Sequence, residues 1–508
     1  MAELIAGDRR VAVAELKERG ARAATGLEQL GVGHQDAVAL MLRNDLPFFE
    51  ASIAAGMLGA YPVPVNWHYT SDEARYVIAD SGARVLVIHA DLLAPLRAAI
   101  PDTVRVLVVE TPEEIRAAFG LSEAECRVPP GAASWSRWLE GFAPLPPKVL
   151  VPPGTMIYTS GTTGRPKGVR RAPPTADQSA ASLATLLAVF GLEPGCTAVI
   201  TGPMYHSAPN AYGLTSVNLG CDTILQARFD PEELLALVEA RRVTHLHMVP
   251  TMFVRLLKLP EAVRNRYDLS SLEFVVHAAA PCPPDVKARM IEWWGPVINE
   301  YYGSTETGAV VFCTAEEWLA HPGTVGRALP HADVRVLDDS GNDLPAGQPG
   351  EVAARLRTTS DFTYHGDAAK RAAADRAGLI APGDIGWLDT DGFLYISDRK
   401  NDMVISGGVN IYPAEIEAVL IDMPGVHDCA VFGIPHDEFG ETLCAVVEPE
   451  AGADLDADGI RAWLRQRIAG YKVPRVVELE ANLPREDSGK IFKRKLREPY
   501  WADVERRI

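Results

Sequence analysis

Residues 156–168, Met-Ile-Tyr-Thr-Ser-Gly-Thr-Thr-Gly-Arg-Pro-Lys-Gly, constrain the fold more than any other stretch. An apolar run of strand length ends in a loop where four hydroxyls, three glycines and a lysine fall within residues 159–168. Glycines leave backbone N–H groups open to approach, hydroxyls donate further hydrogen bonds, and the lysine adds a point charge. A strand ending this way is built to hold phosphate. A plain polar turn rarely gathers so many donors. No Gly-Lys-Ser/Thr closes the loop, so it is not a Walker loop.

On either side the chain alternates helical and strand-like patterns. Residues 12–30 and 47–58 carry helical periodicity, while Ala37 to Met41 and Val85 to Ile88 are short apolar or β-branched runs, an α/β rhythm. Pro129 to Pro153 holds seven prolines and two glycines, which continue neither a helix nor a central strand and predict a long surface connection within one large domain. A second α/β stretch runs from Thr155 to about Gly326, with strands expected at Ala198 to Thr201, His245 to Val249 and Phe274 to His277. Between about Thr324 and Tyr395 the segments shorten and turn signals crowd in, as in a small β-rich subdomain. The remainder reads as a compact α+β unit, with a helix after Pro413, strands at Cys429 to Ile434 and Leu443 to Glu448, and a helix near Asp458 to Ile468. At 508 residues the chain exceeds what one core organises, so two or more domains are expected.

Charge narrows the function. A formal net charge of −18 argues against a nucleic-acid partner, which needs a basic surface to displace counterions from phosphates. An anionic ligand must be met locally. The one local reversal, Lys490-Ile491-Phe492-Lys493-Arg494-Lys495-Leu496-Arg497, reads as a solvated helix face. Seven scattered cysteines, with no CxxC pair and no metal-ligand spacing, suggest neither a zinc site nor a disulfide framework and fit a reducing cytoplasm. The first residues lack the order of a signal peptide and no apolar run reaches membrane-spanning length, so a cytoplasmic chain without an integral membrane segment is expected.

The loop at 156–168 resembles the phosphate loop of the adenylate-forming superfamily, which contains acyl-CoA synthetases, peptide-synthetase adenylation domains and luciferases. The likeness extends over most of the chain and is nearest to the free-standing acyl- or aryl-CoA ligases. It implies an α/β fold: a large N-terminal adenylation domain (1–400) of α/β subdomains plus the small β-rich subdomain, then a mobile α+β C-terminal domain (401–508). It also implies ATP, Mg²⁺ and coenzyme A, with a carboxylic acid activated to acyl-AMP and passed to the thiol. Within the loop, Thr159, Ser160, Gly161, Thr162, Thr163, Gly164 and Lys167 are the implied ATP contacts, and Lys167 is counted as catalytic.

Asn299 to Gly308 is similar to the family's adenine and metal segment. By position Tyr302 lies against adenine, catalytic Thr305 meets the α-phosphate and Glu306 holds Mg²⁺, with Glu300, Tyr301, Gly303 and Ser304 in the same nucleotide set. Mg²⁺ usually takes one or two carboxylates plus phosphate oxygens and keeps several waters, so one glutamate suffices. Asp384 and Arg399 look like the ribose-binding pair, a carboxylate having two oxygens for a vicinal diol. Two residues on, Asn401 stands at the hinge where the family commonly has Asp or Lys, and Asn tolerates unusual backbone angles. Lys490, within Leu483 to Phe492, matches the lysine that reaches the active site during adenylation, where an ammonium bridges the substrate carboxylate and the α-phosphate. Ser406 to Pro413 looks like the CoA-ligase form of the thioester segment, with Gly407 and Gly408 leaving room for the pantetheine arm.

Pro203 to Asn210 matches the segment that sets a bulky ring, here His206, beside the acyl carboxylate. Tyr212, Met248, Val249, Ala278 and Ala279 are expected to line an apolar acid slot, and Ala279, Ala280 and Pro281 its junction with adenine. No acidic residue stands in these segments to catch a substrate ammonium, which disfavours amino acids. Aryl (cinnamate-like) and aliphatic acids both stay open. A carrier-protein-loading ligase is the alternative to CoA transfer. A regulator that binds ATP without chemistry is countered by the joint presence of Lys167, Glu306, Asp384, Arg399 and Lys490. The expected partners are the small-molecule acid, ATP and CoA, with a homodimer left open.

Overall fold

The computed structural model of the chain describes residues 2–147, 150–159, 166–399, 402–406, 409–436, 439–485 and 491–502. Ala37–Met41 is apolar without alternation and buried at every position. It lies inside a four-stranded parallel sheet ordered Tyr61–Pro64, Ala37–Met41, Ala83–His89, Arg105–Val109. Continuous apolar strands are what a parallel sheet covered on both faces requires. One face packs on the helices Val13–Gln29 and Leu46–Met57, the other on Ser71–Asp80 and Ala90–Leu96. Leu46–Met57 begins where the sequence predicts: Asp45 caps it by accepting from the Leu46 amide at 2.7 Å, and Pro47 sits in its first turn.

The proline-rich stretch corrects one expectation. It is not only a surface connection, because it contains the helix Trp135–Glu140. Trp135 is fully buried and its indole N–H donates to Glu50 Oε2 at 2.6 Å. Prolines mark the flanks of such a segment and are silent about the apolar turn between them.

A second, 15-stranded sheet carries the central parallel run Asp222–Leu225, Thr197–Ile200, His245–Met248, Phe274–His277, Ile298–Ser304. Thr197–Ile200 pairs with Asp222–Leu225 on one side and His245–Met248 on the other, so strand order reverses there. Ligands of open α/β sheets bind outside the carboxyl ends of the strands at such a reversal. The β-rich segment is present but continuous with this sheet: Gly308–Cys313, Gly326–Ala328, Phe393–Arg399, Asp384–Leu388 and Gly350–Leu356 extend it edge to edge in antiparallel pairings. A three-stranded sheet of Ile157–Thr159, Lys167–Arg171 and Phe362–Tyr364 stands beside it.

The C-terminal residues form a separate five-stranded sheet around the long hairpin Val426–His436 and Gly440–Pro449, with the helices Pro413–Ile421, Ala457–Arg465 and Lys493–Trp501. Its core is its own, built on Val404, Ile416, Leu420, Val431, Ala445 and Ile460. Lys493, in the basic run, pairs with Glu417 at 2.7 Å and so is not merely solvated. Lys258 of the large domain donates to the carbonyls of Val426 and His427, each at 2.7 Å. Among the described residues no helix is long and apolar enough to cross a membrane.

Candidate active site

The antiparallel pairing of Ile157–Thr159 with Lys167–Arg171 sets Thr159 opposite Lys167. Ser160, Gly161, Thr162, Thr163 and Gly164 lie outside the described residues. The Lys167 ammonium stands 3.4 Å from Asp367 Oδ2. Asp367 also caps the helix Ala368–Ala373, its Oδ1 accepting from the Lys370 amide.

The segment after Ile298 continues as a strand through Ser304 and then turns. Ser304 and Thr307 hold the turn reciprocally: the Ser304 amide donates to Thr307 Oγ1 at 3.0 Å and the Thr307 amide to Ser304 Oγ at 3.1 Å. Thr305 and Glu306 occupy the tip. Gly303 is required there, since a Cβ on it would collide with the Gly308 carbonyl oxygen.

Strand alternation then puts Tyr301 on the face opposite Glu300 and Tyr302. The Tyr302 hydroxyl donates to Asp384 Oδ2 at 2.6 Å, which brings the expected adenine and ribose residues together. Asp384 is 7% exposed and is the register partner of Arg399 across the hairpin. Glu300 goes elsewhere. Its Oε2 receives Lys287 Nζ at 2.6 Å, and both side chains are buried beside His277, so the carboxylate expected among the nucleotide contacts is engaged by Lys287. Tyr301 points to the opposite face, its hydroxyl 3.2 Å from His247 Nε2 and its ring against Phe190.

That opposite face holds Tyr212, one of the residues expected to line the acid slot. Tyr212, fully buried on the helix Ser207–Leu219, packs edge-on to Phe190 (5.3 Å between ring centres) and tilted against His247 (5.6 Å). Burial holds His247 down to about 4, so it is neutral at pH 7. Met248, also expected to line the slot, stands one position on. It faces the other side of its strand, fully buried in a core with Val275 and Phe253, and His247 takes the place beside Tyr212. Val249 is half-buried at the start of the helix Pro250–Leu257. Ala278 is buried at the carboxyl end of Phe274–His277, and the exposed Ala279 that follows has φ +74°. Ala280 and Pro281 continue this partly exposed loop. A non-glycine residue held there costs free energy, and such strain collects at ligand sites.

The two halves meet at one contact. Thr305 Oγ1 donates to Ser207 Oγ at 3.2 Å, joining the nucleotide turn to the first residue of the acid-side helix. His206 is the N-cap residue of that helix, whose dipole and first-turn amides of Ser207 and Ala208 favour an anion. Nothing within Pro203 to Asn210 singles out Ser207 in the sequence. Two further residues went unseen because nothing local distinguishes them: Arg171, whose Nη2 donates to the carbonyls of Thr305 (3.0 Å) and Glu306 (2.7 Å), and Tyr364, whose hydroxyl donates to Glu306 Oε1 at 3.0 Å. Glu306 Oε2 accepts no hydrogen bond among the described residues, so the carboxylate keeps an oxygen for a cation. This donor set suits Mg²⁺, a hard ion content with one carboxylate. Asn401, Gly407, Gly408 and Lys490 lie outside the described residues.

Comparison with known proteins fits this geometry. The model of AMP-binding enzymes matches residues 2–360, and that of the AMP-binding enzyme C-terminal domain matches residues 415–490. The chain is 35% identical over 489 residues to the feruloyl-CoA synthase of Amycolatopsis sp, covering 95% of this chain and 93% of that protein. It is 31% identical over 504 residues to the long-chain-fatty-acid–CoA ligase FadD13 of Mycobacterium tuberculosis, covering 98% and 94%. ATP-bound MatB from Rhodopseudomonas palustris shares the fold with a TM-score of 0.82 at 28% identity, covering 99% of this chain and 96% of that one. Site geometry, family models and full-length relatives agree: the chain belongs to the family of AMP-binding enzymes and is an AMP-forming acid–thiol ligase that works with ATP, Mg²⁺ and coenzyme A.

Proposed function

We propose that the acid is a ring-bearing one, activated at the junction of Thr305 with the helix that starts at Ser207. The Thr305–Ser207 hydrogen bond carries this reading, because it ties the phosphate-side turn to the helix whose Tyr212 belongs to the aromatic cluster of Phe190, Tyr212, His247 and Tyr301. Rings favour such edge-on and tilted surroundings. A relative named for feruloyl-CoA supports it, and the FadD13 relative named for long-chain fatty acids keeps an aliphatic panel in the test.

In the first step a carboxylate oxygen bonds to the α-phosphorus of ATP as the bond to pyrophosphate breaks. Thr305 orients the α-phosphate, His206 and the helix N-terminus receive the carboxylate, and the Lys490 ammonium bridges both. Mg²⁺ at Glu306 supplies neutralisation of the phosphate charge. Tyr302 and the pair Asp384 and Arg399 hold adenosine. In the second step the CoA thiol bonds to the acyl carbon and AMP leaves, with Gly407 and Gly408 passing the pantetheine arm. Residues 401–508 turn about Asn401 between the two steps, since one small domain cannot present both segments to one site at once. All seven cysteines are free, which suits a cytoplasmic enzyme.

Acid-dependent release of pyrophosphate, measured over aryl and aliphatic acids, tests the substrate class; a preference for unbranched fatty acids would overturn it. The two half-reactions test the two poses. Lys490→Ala should lose acyl-AMP formation yet convert supplied acyl-AMP and CoA to thioester, and Gly408→Leu should do the reverse. Equal loss of both steps in folded Lys490→Ala would remove the two-pose reading.

A further inference from the structure

Glu306 is gripped twice by one small sheet. Tyr364, on Phe362–Tyr364, donates its hydroxyl to Oε1 at 3.0 Å, while Arg171, on the neighbouring strand Lys167–Arg171, donates to the Glu306 and Thr305 carbonyls. Arg171 Nη1 also reaches the Ser360 carbonyl at 2.9 Å, so the guanidinium is fixed from both sides. Lys370 stands over the Tyr364 ring at 4.4 Å, which keeps the phenol in place. The result is a carboxylate whose backbone is clamped, whose Oε1 is taken and whose Oε2 has no hydrogen-bond donor among the described residues.

We propose that Tyr364 and Arg171 are positioning residues that force Glu306 to bind a divalent cation through one oxygen, and that the Tyr364 hydroxyl thereby selects Mg²⁺ over Ca²⁺. This rests on the reading of Glu306 as the metal carboxylate. Mg²⁺ demands a near-ideal octahedron with single oxygens and retained waters, whereas Ca²⁺ takes more ligands and readily accepts both oxygens of one carboxylate. A hydroxyl seated on Oε1 opposes two-oxygen binding. Arg171 acts on the direction of the carboxylate by fixing the carbonyls at its root.

The test measures binding of α,β-methylene-ATP to the full chain in Mg²⁺, in Ca²⁺ and in EDTA, without catalysis. In the wild type Mg²⁺ should strengthen binding more than Ca²⁺ does. Tyr364→Phe keeps the ring under Lys370 and should narrow the Mg²⁺/Ca²⁺ ratio by about tenfold, a hydrogen bond to a charged group being worth at least that, with affinity in EDTA unchanged. Arg171→Lys should lower the Mg²⁺ enhancement several-fold and leave the ion ratio closer to wild type. An unchanged ratio in Tyr364→Phe, or equal weakening in all three conditions, overturns the proposal. Glu306→Ala separates this failure from that of the underlying reading: if Mg²⁺ still strengthens binding as in the wild type, Glu306 is not the metal carboxylate at all. A thermal melt of each variant confirms folding, and Tyr364→Phe decides the matter if Arg171→Lys does not fold.

Discussion

The two parallel sheets share one architecture and end in opposite chemistry. In the four-stranded sheet, Ala37–Met41 pairs with Tyr61–Pro64 on one side and Ala83–His89 on the other, so strand order reverses there as it does at Thr197–Ile200 in the larger sheet. A cleft of about 730 Å³ opens by its carboxyl ends, lined by Asp45, Glu50, Thr111 and several arginines. Its buried carboxylates and His89 are all paired. Asp45 accepts from Arg9 and stands 3.0 Å from His89 Nε2, His89 Nδ1 accepts from the Arg43 amide, and Arg43 pairs with Asp91 at 2.8 Å. At the larger sheet's reversal and beyond it, Glu306 keeps an unfilled oxygen and Ala279 a strained backbone. The same topology offers two crevices, and the one with unfinished bonding is the one suited to a ligand.

Breaking the closed crevice should cost stability and spare activity. Asp45→Ala strands the buried His89 while Arg9 keeps Glu114, and loss of one partner of a buried pair typically costs about 3–5 kcal/mol, read by chemical denaturation, with pyrophosphate release per folded enzyme unchanged. Burial pushes the Asp45 carboxyl up, but His89 and Arg9 outweigh it and hold it below its ordinary 3.8. A depressed carboxylate stabilises above that value, so this contribution should vanish as pH falls below about 4. Loss of activity with stability intact would put the closed crevice on a par with the open one.

The open crevice should behave in the opposite sense. Glu306→Ala should slow pyrophosphate release by about 10²–10³ for every acid tested, with little change in melting temperature, a magnitude usual for removing one group aimed at developing charge. A change in acid preference alone would take Glu306 out of the phosphate machinery.

The buried histidines sharpen the contrast. His89 has a carboxylate beside it, while the His247 ring meets the Tyr301 hydroxyl and no carboxylate among the described residues and is held to about 4 by burial. A histidine depressed in the folded state takes up protons first when unfolded, so stability should fall as pH drops from about 6.5 toward 4. At 1.36 kcal/mol per unit the full drop is about 3 kcal/mol, and His247→Gln should flatten the slope over that window. The smallest effect concerns backbone strain: Ala279→Gly should raise stability by about 1 kcal/mol, because glycine adopts φ +74° without a Cβ clash. No gain would mean that the loop relaxes at no cost.

The resemblance of short segments to the family's motifs is what singled out Tyr302, Thr305, Asp384 and Arg399 in the sequence, since alone each reads as a turn or surface residue, and the structure joins Tyr302 to Asp384. Strand alternation decides what adjacency in sequence hides: Tyr301 is next to Tyr302 yet faces His247, and Met248 lies on the face opposite His247, while Glu300, on the face of Tyr302 but two residues back, is held by Lys287. Arg171 and Tyr364 were invisible because their partner lies 135 and 58 residues away, a distance only the fold closes. Trp135 was missed between prolines for the same reason, its partner Glu50 being 85 residues back.

The hairpin that sets Asp384 opposite Arg399 contains a register irregularity between Ile385 and Gly386. That single step is what aligns the two residues across strands that otherwise pair in plain order. Genetically the hairpin therefore tolerates two kinds of change very differently. Codon substitutions along it alter one side chain at a time, but an in-frame loss or gain of one codon between positions 385 and 398 turns one member of the pair to the far face while leaving a strand that still pairs. Lineages of this enzyme should vary in the letters of that hairpin and hold its length.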